Sequence, residues 1–261
     1  MSPGRPWERL HQDANGPKMR IMKKLVLAVR TCPVAPTLFG VGSLILLTLK
    51  IFWFDTIPAA FVQAHAAGNI AESLLAGNVA AYVFFVISYQ LPLVIEKSRV
   101  ASMIARLCDL AANGVTGFLQ MIHGSTNGGL LNQDEIKKSD VEQLFGSVAP
   151  CALAPMATSA LAPPLTWLGA MALHDEQCRE YIAQIWRFVR FLEPDLVALL
   201  YEIEDSAHTS GMKDVRQYML RVGVNVTNAD LGSWADNYWA CYELAQRLAR
   251  YSAKYRAMYV A

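Results

Sequence analysis

Charge is scarce in this 261-residue chain. Asp, Glu, Lys and Arg together make up 17%, and the two signs nearly cancel, with 23 basic against 22 acidic residues. Ordinary soluble domains carry ~25% charged residues. The balance excludes a protein built around nucleic acid, which needs a basic face and a high isoelectric point. Cysteine is equally sparse. Cys32, Cys108, Cys151, Cys178 and Cys241 are scattered, odd in number and never spaced C-x-x-C. That pattern fits reduced cytosolic thiols better than a disulfide or zinc framework. No G-x-S-x-G, H-E-x-x-H or G-x-G-x-x-G is present, so no catalytic, cofactor-binding or metal-binding residue is singled out. Period-2 alternation and strand-turn-strand signals are also missing, which makes the expected fold class all-α.

What the chain has in abundance is apolar side chains, at 54%, with a mean hydropathy of +0.24. Two stretches concentrate them. Residues 34–54 are mostly apolar and carry no charge apart from Lys50, with Pro36 near the start and Asp55 just beyond the end. Residues 76–95 carry no charge until Glu96. Each supplies the ~20 residues that a helix needs to cross a bilayer. A Lys costs ~2.5–3.5 kcal/mol at the centre of such a helix. Lys50 lies one turn from the end, so its ammonium is expected to snorkel to the headgroups, beside an interfacial Trp53. In the second stretch Asn78, Ser88 and Gln90 are neutral polar residues, read as glue between two helices in preference to an ion path. Ala76 with Ala80, and Gly77 with Ala81, form small-xxx-small pairs suited to close helix contact. Pro92 is read as sitting near the end of its helix, where a missing N–H matters least.

The basic residues set an orientation. Lys18, Arg20, Lys23, Lys24 and Arg30 precede the first stretch, and Lys97, Arg99 and Arg106 follow the second. Residues 55–75 contain no Lys or Arg. The positive-inside rule then places both termini in the cytoplasm and the connection outside. Ala64-His65-Ala66 has the form of a signal-peptidase site, but the apolar run before it starts too late for a signal peptide, so no cleavage is expected. The expected organisation is a cytosolic basic N-terminal segment (1–33), transmembrane helix 1 (34–54), an external loop (55–75), transmembrane helix 2 (76–95) and a cytosolic α-helical domain (96–261). Residues 1–17 read as a flexible tail. Residues 19–30 alternate basic and apolar side chains, which reads equally as a short amphipathic helix suited to an anionic inner leaflet and as a juxtamembrane stop for the first span. His65 in the loop reads as solvated.

Beyond residue 96 the periodicity is helical. Val100, Met103, Ile104, Leu107 and Leu110 form one apolar face, with Arg99, Arg106 and Asp109 opposite. Residues 123–129 read as a glycine-rich connector without the P-loop pattern. Ser139 to Glu142 and Ser233 to Asp236 are capping-box patterns that predict helix starts. Residues 143–173 are uncharged, but Pro150, Pro155, Pro163 and Pro164 argue against a third span and for short buried helices or a re-entrant piece. Residues 175–205 carry the strongest amphipathic stripe, started at His174-Asp175-Glu176 and kinked or split at Pro194. Glu204 and His208 are spaced to share a helix face, yet bundle metal sites need more ligands, so this reads as a solvated helix end. Asn225-Val226-Thr227 matches a glycosylation sequon but falls in the cytoplasmic part. The last helix is rich in Trp and Tyr and ends on Arg247, Arg250, Lys254 and Arg256.

Residues 81–99 combine an aromatic-rich apolar helix (Tyr82, Phe84, Phe85, Tyr89), Pro92 and a charged run (Glu96, Lys97, Arg99). This segment resembles the second span of uncharacterised bacterial two-span inner-membrane proteins. The resemblance implies a bacterial inner membrane and carries no functional residues. The expected function is a membrane-tethered cytosolic helical interaction or sensory module with an unknown protein partner. The alternative is an oligomeric pore or channel-type effector, a homo-oligomer built through the spans and gated by the cytosolic domain. An enzyme is disfavoured because no nucleophile–base pair or metal cluster stands out. No cofactor and no nucleic-acid partner is expected; the bilayer and its anionic inner leaflet are.

Overall fold

The computed structural model describes residues 22–53, 64–128, 131, 136–155, 165–222 and 229–259. Among these the chain is helical, with one isolated bridge between Leu153 and Thr166. Two compact units divide at Arg99 and Val100. The expected tail at 1–17, the prolines at 163 and 164 and the sequon at 225–227 lie outside the described residues.

The N-terminal unit holds α1 (22–30), α2 (Val34–Phe52) and α3 (Ala64–Phe85). Pro33 and Pro36 flank the start of α2, where first-turn N–H groups have no helical partner to lose. α3 begins well inside the expected external loop, and the Ala64-His65-Ala66 stretch is helical. It continues through a π-turn, Val86–Gln90, into α4 (Leu91–Thr126). Pro92 is therefore interior to a long helix, not near an end. Its ring would clash with the carbonyl of Ser88 in a regular helix. The wider π-turn immediately before it, closed by the Leu91 N–H to the Val86 carbonyl, accommodates the ring without a break.

The C-terminal unit contains residues 100–126 of α4, α5 (Lys138–Gly146), α6 (Trp167–Trp186), α7 (Pro194–Glu204), α8 (Ala207–Val222) and α9 (Ala235–Tyr259). The buried face of α4 is Ala101, Ile104, Ala105, Cys108, Ala111 and Ala112, then Phe118, Leu119 and Ile122. Met103, expected on that face, is exposed. Phe118 is the hub. It meets Phe145 and Trp167 edge-on, and packs against His174 and Tyr238 with ring centroids about 6 Å apart. α9 runs antiparallel along α4. The Tyr238 hydroxyl donates to the Val115 carbonyl and the Ser252 hydroxyl to that of Ala105, at 2.8 Å in the second case.

Several expected boundaries move. α4 runs to Thr126, so the connector begins at Asn127 and not at His123; Gly128, at φ 71°, supplies the left-handed exit. Thr166 caps α6, its hydroxyl accepting from the Gly169 N–H, so His174 sits in the second turn and does not start the helix. The long stripe at 175–205 is two helices, with Pro194 at the first position of α7 and a 3-10 turn, Val189–Phe191, between them. α5 is capped by Asp140 accepting from the Lys137 N–H, two residues before the expected box. α9 is entered through a 3-10 turn that Asp230 caps by accepting from the Gly232 N–H. Residues 147–155 form turns, not the short buried helices expected there.

Candidate membrane interface

α2 is packed inside-out relative to a soluble helix. Its buried residues are Gly40 and Ser43, while Leu38, Phe39, Ile45, Phe52 and its flanking Trp53 are exposed. On the partner helix Ile70, Leu74, Phe84 and Ile87 are exposed as well. Large exposed apolar side chains run the length of α2, from Val34 and Leu38 to Phe52, a contiguous apolar surface of the kind that soluble monomers rarely leave open. Both Val34–Phe52 and Ala66–Thr126 are long and apolar enough to cross a membrane. Small residues inside and large apolar residues outside is the arrangement that helices adopt when lipid is the solvent.

Three contacts fix the antiparallel register of α2 and α3. Gly40 faces Tyr82 so closely that a Cβ added there would lie 2.7 Å from the Tyr82 Cβ. Asn78 donates to the Ser43 hydroxyl at 3.4 Å. Lys50 forms an ion pair with Glu72. These pairings set α2 alongside roughly residues 70–88, several residues upstream of the expected second span. Lys50 is therefore not a lone snorkelling cation; its side chain is only 15% exposed and is held by a carboxylate. Thr37, Thr48 and Ser73 donate their hydroxyls to the carbonyls of Pro33, Leu44 and Asn69 one turn back, at 2.8–3.0 Å, which satisfies them within the helix. Glu72 was expected in the external loop at 55–75, one able to hold a short helix against the membrane. The signal that would have found it is that α2 and α3 carry one charged residue each, of opposite sign.

The C-terminal unit holds a buried polar cluster that the sequence concealed. Asp175 on α6 pairs with Arg179 at 3.0 Å, and burial raises its carboxyl to about 6 against the opposing pull of Arg179. His208, expected as a solvated helix end, is buried, and burial lowers its imidazole to about 4. Its ring meets Tyr238 edge-on with centroids 4.9 Å apart. Glu204 accepts instead from the Trp186 indole N–H at 3.1 Å, so the two do not share a ligand site. No cluster of three metal-ligating side chains occurs among the described residues. Burial raises the Cys178 thiol far above its usual range and the Cys241 thiol to about 11, which keeps both protonated and unreactive. A shallow cavity of about 470 Å³ lies beside the cluster, lined by Arg179, Glu204, Asp205, Thr209, Ser210 and Lys213. His174 donates from Nδ1 to the Gly114 carbonyl at 3.1 Å and packs over Gly117, locking α6 to α4.

No family model, curated protein or solved structure matches the chain.

Proposed function

We propose that the protein is a membrane-tethered helical interaction module. α2 and the helix segment at about 70–88 insert as a hairpin, both termini stay in the cytoplasm, and the unit at 100–261 engages a protein partner there. The observation that carries this reading is the inverted packing of α2, in which glycine and serine are buried while leucine, phenylalanine and tryptophan face outward. In water that arrangement would be strongly unfavourable, at ~25 cal/mol for each Å² of apolar surface left open. In hydrocarbon it carries no such penalty.

The basic flanks support the orientation, and the resemblance of residues 81–99 to bacterial two-span proteins supports an inner-membrane setting. The tether is favoured over a gated pore because the two charged side chains of α2 and α3 are used on each other. Lys50 is taken up by Glu72 and Asn78 reaches Ser43. A pore lining needs such groups turned outward toward neighbouring copies. Alkaline extraction of membranes from expressing cells tests the anchor. The full chain is expected to stay with the membrane pellet, and its release into the soluble fraction would refute the reading. Crosslinking from residues of the C-terminal unit in intact cells tests the module: a discrete crosslinked protein is expected, and none forming would refute partner binding.

A further inference from the structure

α1 presents two apolar faces. One is covered: Ala28 is fully buried against Val86 and Val94, with Leu27 and Cys32 packed alongside. The other is open. Met22, Leu25, Val26 and Val29 recur at i, i+3, i+4 and i+7, and all four are exposed. Lys23 and Arg30 are exposed on the same short helix, with Lys24 half-buried. No Asp or Glu occurs between Asp13 and Asp55, so nothing acidic in this stretch offsets them. A turn of three residues separates α1 from the outward apolar surface of α2, which resumes at Val34 and Leu38.

We propose that the open face of α1 seats in the anionic lipid leaflet, with Met22, Leu25, Val26 and Val29 in the acyl boundary and Lys23, Lys24 and Arg30 on the phosphates. The inference rests on the reading of α2 and α3 as a membrane hairpin. Two arguments select lipid as the occupant. The stripe is nearly continuous with the surface assigned to hydrocarbon, and a helix with an apolar stripe and a purely basic polar side is complementary to anionic headgroups. The covered face gives the helix a fixed footing on Val86 and Val94, on either side of Gln90 in the π-turn and Pro92. α1 is then a strap with protein on one side and lipid on the other.

The test uses the full chain in nanodiscs of phosphatidylcholine alone or with phosphatidylglycerol added. The two accessible cysteines, Cys32 and Cys151, are replaced by serine. A fluorophore is placed on Val26→Cys, and in a second protein on Ile45→Cys, and quenching by a headgroup nitroxide lipid and by an acyl-chain nitroxide lipid is read. The Val26 label should be quenched by the headgroup probe in phosphatidylglycerol discs and much less in neutral ones. Lys23→Gln/Lys24→Gln/Arg30→Gln should lower the ratio of lipid-seated to water-exposed label at least about tenfold, since each basic residue near the surface strengthens attachment severalfold. A Val26 label that stays in water in anionic discs, or seats equally in both compositions, overturns the inference, provided that the Ile45 label is quenched by the acyl-chain probe. An Ile45 label that is not quenched refutes the hairpin reading itself, and the strap with it.

Discussion

Lys50 of α2 and Glu72 of α3 neutralise each other across the helix pair, so the single charged residue of each helix becomes half of an ion pair. Removing one partner leaves an unmatched charge against apolar surface, while removing both leaves none. Lys50 is largely covered and Glu72 nearly half exposed, so solvent weakens the coupling. Glu72→Gln and Lys50→Met should each destabilise the hairpin by about 1–2 kcal/mol, and the double variant should recover most of that loss. Unfolding in mixed detergent micelles, analysed as a double-mutant cycle, measures the coupling.

Close approach of the two helices depends on Gly40 and not on its neighbours. Gly40→Val would drive a side chain into Tyr82, and should separate the pair and cost several kcal/mol. A Cβ at Gly42 or Gly77 meets nothing within 4 Å. Gly42→Ala and Gly77→Leu should therefore leave hairpin stability unchanged within about 0.5 kcal/mol. The same unfolding assay checks all three. A large loss from Gly77→Leu would reopen the oligomeric pore, because it would place that face against another copy.

Phe118 carries the core of the C-terminal unit, and Phe118→Ala should destabilise it by about 3–5 kcal/mol. Met103→Ala, one of the apolar residues that the sequence assigned to the buried face of α4, should fall within about 0.5 kcal/mol, because Met103 is exposed. Thermal unfolding followed by circular dichroism separates the two.

Asp175 and His208 oppose each other in their pH dependence. Asp175 rises from 3.8 to about 6 on folding, so the native state binds its proton more tightly and this group adds stability as the pH falls from 6 toward 4. His208 drops from 6.5 to about 4, so the unfolded state binds its proton first and stability is lost over nearly the same window. Each shift is worth on the order of 3 kcal/mol at 1.36 kcal/mol per unit. Their contributions should nearly cancel in the native protein. Asp175→Asn should expose a loss of stability between pH 6.5 and 4, and His208→Phe a gain between pH 6 and 4. Denaturant melts of the two variants across that range give the two slopes.

The helical class and the two long apolar segments could be read from the sequence because each rests on a local property, hydrophobic length and period. The break between α6 and α7 was half legible, since Pro194 marks the start of the second helix but nothing local shows the 3-10 turn before it. What was hidden depends on pairing between helices. The Lys50–Glu72 bond, the fit of Gly40 against Tyr82 and the burial of His208 beside Tyr238 join residues 22, 42 and 30 positions apart in the chain. No helical period connects such residues. The start of α3 at Ala64 was masked by an alanine-rich, weakly apolar stretch that reads equally well as loop.

The central claim is a two-helix insertion that returns the chain to the side it came from. Paired reporter fusions after residues 60 and 261, one active only outside the cytoplasm and one only inside it, measure this directly. The account predicts an external signal at 60 and a cytoplasmic signal at 261. An external signal at 261, or a cytoplasmic signal at both positions, would contradict it.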